Sequence, residues 1–121
     1  ALLTDLRQIT GQSIPLAWQP NKLPPLSAIE VYPAGTLKML FAPARVPSYK
    51  GKESGNGRST ILTQLKNQIT LPAETGLMHQ NDDALDAALC VLAGADFLRG
   101  WAEPPQNLAQ AQKEGWIWVR K

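Results

Sequence analysis

Three aspartates, Asp82, Asp83 and Asp86, crowd the start of "HQNDDALDAALCVLAG", residues 79–94, a stretch that is otherwise largely apolar. Acids in a first helical turn favour the positive end of the helix dipole, and Asn81 or Asp82 suits the N-cap. That accounts for Asp82 and Asp83. Asp86 lies beyond the capping positions, and the 3.6-residue period aligns it with Cys90, Ala93 and Phe97 on an apolar stripe. The remaining faces, with Leu85, Leu89 and Leu92 on one and Val91 and Leu98 on another, are apolar too, which predicts a helix sandwiched between other elements. A carboxylate there is costly to desolvate unless it is paired or holds a metal. Asp83 and Asp86 are three apart, so they are neighbours on the helix surface and repel as anions. A divalent cation relieves that repulsion, and oxygen-only donors suit Mg²⁺ or Mn²⁺ rather than zinc.

Glu30 is a second acid of this kind. It sits mid-strand between Ala28 and Tyr32, in a run whose neighbours ask for burial; the simpler reading is an edge strand with a solvated face. Acids delivered from a strand and a helix mouth to one point are what two-metal phosphodiester chemistry requires, because the metals acidify the attacking water and stabilise the leaving oxygen. The stretch "SYKGKESGNGR" gathers Tyr49, Lys50, Lys52 and Arg58 in one loop. Lys50 and Arg58 are candidates for phosphate contact, against the simpler reading of a solvated loop. This loop is not a Walker A motif, since the Gly-Lys-Ser/Thr ending is missing. His79 precedes the acids as a candidate to orient water or ligand, with polar surface as the plain alternative. Cys90 reads as core packing, Trp116 and Trp118 as sheet packing, and Asp96 with Arg99 as a local ion pair.

The elements that must position these residues follow from periodicity. Leu2, Leu3, Leu6 and Ile9 recur at helical spacing before Gly11. "PLAWQPNKLPPLS" is loop, "SAIEVYP" a strand, "AGTLKMLF" a short helix, and residues 42–57 a long loop. "RSTILTQLKNQI" is an amphipathic helix with Ile61, Leu62, Leu65 and Ile69 on one stripe. The acidic helix runs from about residue 82 to 100, "WAEPPQNLAQAQKE" is loop or short helix, and "GWIWVRK" is a closing strand. Two strands at opposite ends make a marginal sheet. Partner strands are therefore expected from a preceding segment or another copy of the chain.

Composition bounds the rest. At 121 residues with 44% apolar content, residues 1–121 form one globular domain. A net charge of +2 argues against nucleic-acid binding by bulk electrostatics and leaves local basic loops as the route. A single cysteine excludes an internal disulfide and a cysteine-based zinc site, and fits a cytoplasmic setting. No apolar run approaches a membrane span. The chain opens without Met inside a helical pattern, and the expectation is a piece of a longer domain.

"IEVYPAGTLKML", "SYK", "RSTILTQL", "DDALDAALCVLAG" and "EGWIWV", in that order, resemble domain-of-unknown-function family 429, described as predicted nucleases of ribonuclease-H-like fold. The resemblance runs through nearly the whole chain and corresponds to the C-terminal half to two-thirds of a family domain. "DDALDA" is also similar to the last helix of RuvC-type junction resolvases, where two aspartates three apart bind metal. The resemblance implies an α/β fold, a ribonuclease-H-like mixed sheet flanked by helices whose first strands are absent. It also implies Asp83 and Asp86 as the late acidic pair and Glu30 as the middle-strand acid, with Mg²⁺ or Mn²⁺ as cofactor and nucleic acid as partner. Two departures stand out. The first strand, with its Gly-x-Asp acid, is absent, and Leu2 stands where an Arg-x-Thr-Asp motif has its arginine, although Thr4 and Asp5 remain. The leading expectation is a metal-dependent nuclease, and the alternative is a non-catalytic interaction or assembly module of the same fold.

Overall fold

The computed structural model describes residues 2–121. Six helices, α1 (Leu2–Thr10), α2 (Pro33–Phe41), α3 (Gly55–Lys66), α4 (Gly76–Gln80), α5 (Asp82–Leu98) and α6 (Leu108–Glu114), accompany two short strands, β1 (Glu30–Val31) and β2 (Ile117–Trp118). A 3-10 turn, Lys52–Ser54, leads into α3. The class is mixed α/β, mainly helical.

Helix α5 is the axis of the fold. The side chain of Asn81, not that of Asp82, caps it by accepting from the N–H groups of Asp83 (2.8 Å) and Ala84 (3.2 Å). Leu85, Leu89 and Leu92 form its fully buried stripe and pack with Leu37 of α2 and Ile61, Leu62 and Leu65 of α3. Each leucine buried to that degree contributes about 1.5–3 kcal/mol. The helix is not sandwiched on every side, however. Val91 and Leu98 are 62% and 59% exposed, so the apolar face they share lies outward. The apolar composition of α5 overstates its burial because alanines and single leucines at a surface cost little.

The two strands pair with each other in parallel, Glu30 beside Ile117 and Val31 beside Trp118. The two expected strands are therefore partners, and short backbone segments of the same chain flank them. Ala17 N–H donates to the Ala28 carbonyl at 2.7 Å, giving a bridge between Leu16 and Ala28. Ala102 bridges Arg120 on the other side. These contacts cover part of each edge that was expected to seek a further strand. Below the sheet, Phe97 meets Trp118 edge to face at 4.7 Å, with Ala17 and Ala102 completing a second, smaller core.

Three further expectations change. Helix α3 begins at Gly55, which shortens the long loop. Residues 76–80 form a helix of their own, α4, packed between α3 and α5. Asp96 does not pair with Arg99: its carboxylate, 1% exposed, takes a bidentate contact from Arg120, with both nitrogens at 2.9 Å. Arg99 lies over the Trp101 ring instead.

Candidate functional site at the mouth of helix α5

Residues 48–54 fold onto the first turns of α5 because α3 lets them approach. A Cβ placed on Gly57 would stand 1.7 Å from the Ser48 carbonyl oxygen, so only glycine allows this close passage. The loop is then held from both sides. Asp82 accepts from Gly51 N–H at 3.0 Å, and that backbone contact, the first of its causes, lowers the Asp82 pKa. Asp86 takes the Tyr49 hydroxyl at 3.0 Å on one oxygen and the Lys50 ammonium on the other.

Burial, followed by the hydrogen bond and the charge of Asp86, pushes Tyr49 up to about 12. The same carboxylate raises Lys50 through its hydrogen bond. Asp86 thus finds its partners in the loop, 36 and 37 residues back in the chain. Its carboxylate is 23% exposed and remains open to solvent on one side.

Arg58 was expected in an exposed loop facing phosphate. It lies in the first turn of α3 and is 3% exposed. Its Nη1 donates to the carbonyls of Tyr49 (2.9 Å) and Gly51 (2.6 Å), and its Nε donates to that of His79 (2.6 Å). One guanidinium therefore ties the loop, α3 and α4 together. His79 is also more than polar surface, since its Nδ1 lies 3.0 Å from the Ser59 hydroxyl.

Glu30 lies elsewhere. It is exposed on β1, where its Oε2 accepts from Trp116 N–H at 3.3 Å and overlies Gly115. Beside it Tyr32 is exposed as well, so this strand face is solvated and the presumed pressure for burial is absent. Val31 of the same strand packs in the Phe97 cluster. Phe97 is eleven residues along α5 from Asp86, about 16 Å at 1.5 Å per residue. Asp83 is exposed and borders a shallow pocket of about 190 Å³ with Gly51, Lys52, Arg58, Gln80, Asn81 and Asp82.

The donors fit a divalent cation in kind but fall short in number. Asp83 and Asp86 offer oxygens of the type Mg²⁺ prefers. Among the described residues, no group of three or more His, Cys, Asp or Glu side chains is arranged to hold a metal ion.

The family model "Protein of unknown function (DUF429)" matches residues 14–110. The chain belongs to the DUF429 family. The match spans the loop, α3 and the whole of α5, so every residue of the cluster lies within this DUF429 domain. No curated protein matches the chain, and no solved structure does. Among the described residues no helix is long and apolar enough to cross a membrane.

The sequence reading placed Tyr49, Lys50 and Arg58 together but missed that the loop is clamped to Asp82 and Asp86. The one signal for that clamp was the pair of glycines in "SGNGR". A glycine inside a helix is unfavourable unless something approaches it closely.

Proposed function

We propose that this domain works as part of a divalent-metal-dependent nuclease whose site is the mouth of α5. One observation carries the reading: Asp82, Asp83, Lys52 and Arg58 line one pocket at the open end of α5, about one helical turn from the Asp86–Lys50 ion pair. Asp83 and Asp86 would hold the cation, and a third oxygen ligand would have to come from outside this group. When bound, such an ion supplies an acidified water and charge neutralisation for phosphodiester hydrolysis. The chain's own part is to hold the diester with Lys50, Lys52 and Arg58, and to fix Asp86 through Tyr49. Glu30, engaged with the Trp116 N–H, stands outside this proposed site.

The test is a panel of single- and double-stranded DNA and RNA incubated with the intact protein and Mg²⁺ or Mn²⁺. Cleavage is expected with metal, with losses of at least 100-fold in Asp83→Asn and Asp86→Asn and none in Glu30→Gln. Removing the metal with a chelator abolishes it. Equal activity in wild type and both aspartate variants contradicts the reading.

One observation favours a second reading. Both oxygens of Asp86 already have partners within the chain, as an acid that only fastens a loop would. On that account the domain is a non-catalytic interaction module, and the panel shows no metal-dependent cleavage.

A further inference from the structure

Arg58 is fastened by three of its five N–H groups. Nε and Nη1 are committed to the carbonyls of Tyr49, Gly51 and His79. Nη2 makes no hydrogen bond among the described residues, yet no fully buried side-chain nitrogen or oxygen is left without a partner. Nη2 therefore keeps a small contact with solvent, within the 3% of Arg58 that is exposed, and the opening that Arg58 lines is the pocket shared with Lys52, Asn81, Asp82 and Asp83. A hydrogen bond from a charged guanidinium nitrogen to a phosphate oxygen is stronger than one between neutral groups, and Nη2 retains its two N–H donors for it. Here burial has removed its rotational freedom, so docking a ligand costs little further ordering.

We infer that Nη2 of Arg58 is a preset contact for a phosphodiester oxygen, at the end of α5 where the carboxylates stand. The inference deepens the nuclease reading by naming the group that seats the backbone of the nucleic acid. Lys52, on the pocket rim, is the second cation. Asp82 and Asp83 oppose a strongly charged anion in the same space. The site therefore favours a singly charged diester over free inorganic phosphate.

Replacing Arg58 would also release three carbonyls, so the test leaves it in place. Gly55 has right-handed helical angles, φ −58° and ψ −39°, and a Cβ added there would stand 3.9 Å from Nη2. Gly55→Asp therefore offers Nη2 a carboxylate of its own, and an acid in the first turn of α3 favours folding. Gly55→Ala fills the same position and leaves Nη2 open. Thr63→Asp adds equal charge to the exposed face of α3, two turns further on. Fluorescence anisotropy follows a labelled single-stranded DNA and the matching RNA on the intact protein, in low salt with chelator, and thermal melts check folding.

The expected result is binding of at least one oligonucleotide by wild type, Gly55→Ala and Thr63→Asp, and at least tenfold weaker binding by Gly55→Asp with an unchanged or raised melting temperature. Millimolar inorganic phosphate competes poorly. Unaltered binding by Gly55→Asp, equal losses in Thr63→Asp, no binding by wild type, or effective competition by phosphate each overturns the assignment. Because the measurement contains no divalent ion, its failure is distinct from that of the nuclease reading, which rests on cleavage by the aspartate variants.

Discussion

Asp86 draws two partners from the preceding loop, and they explain why an acid stands beyond the cap of α5. A carboxylate leaving water needs compensation, and Tyr49 and Lys50 provide it. The consequence can be titrated. Phenolate absorbance should show Tyr49 ionising near pH 12, above the ordinary 10. In Asp86→Asn the midpoint falls, since that carboxylate's hydrogen bond and charge both hold the proton on the phenol. The sign for stability follows. The folded-state pKa is the higher one, so the folded chain keeps a proton that the unfolded chain sheds. The stabilisation is complete below pH 10 and declines between about 10 and 12. Tyr49→Phe removes this decline, measurable by denaturant unfolding across that range.

At the scale of elements, most of α5 was legible in advance. The leucine stripe and acidic first turn needed only the 3.6 period and the capping rules, and both appear with Leu85, Leu89, Leu92 and Asn81 in those roles. What periodicity could not supply was contact between elements far apart in the chain. Lys50 and Tyr49 read as loop residues until α3 carries them to Asp86, and Glu30 looked buried because its neighbours are apolar. Gly57 makes the point measurable. Gly57→Ala should lose about 2–3 kcal/mol or more despite the better helix former, because its Cβ would strike the Ser48 carbonyl. Gly94→Ala on α5 meets nothing within 4 Å and should gain up to about 1 kcal/mol. Denaturant midpoints of the two variants should move in opposite directions.

For the whole molecule, the packing of α2, α3 and α4 on α5 forms the main core, and a minimal parallel pair of strands is anchored to it by a smaller one. Two strands of two residues each make a marginal sheet by themselves. The backbone hydrogen bonds that flank them, such as Ala17 N–H to the Ala28 carbonyl and Glu103 N–H to the Val119 carbonyl, leave no pattern in composition. Beside the Phe97–Trp118 contact, Arg120 on Asp96 links the end of the chain to the helices, with Gln68 also accepting from Arg120 at 2.9 Å. Asp96→Ala leaves that guanidinium only Gln68 as a hydrogen-bonding partner and should cost about 1–3 kcal/mol, read from the denaturation midpoint. The loss should leave the Tyr49 titration unchanged in the still-folded protein, since the ion pair and the loop clamp sit toward opposite ends of α5. The central claim is that the mouth of α5 is where this domain does its chemistry. Its most direct test compares Mn²⁺-dependent nucleic-acid cleavage by the intact wild-type protein and the Asp86→Asn variant. Cleavage by the wild type, reduced at least 100-fold in the variant, is the predicted result, and equal rates for the two would contradict it.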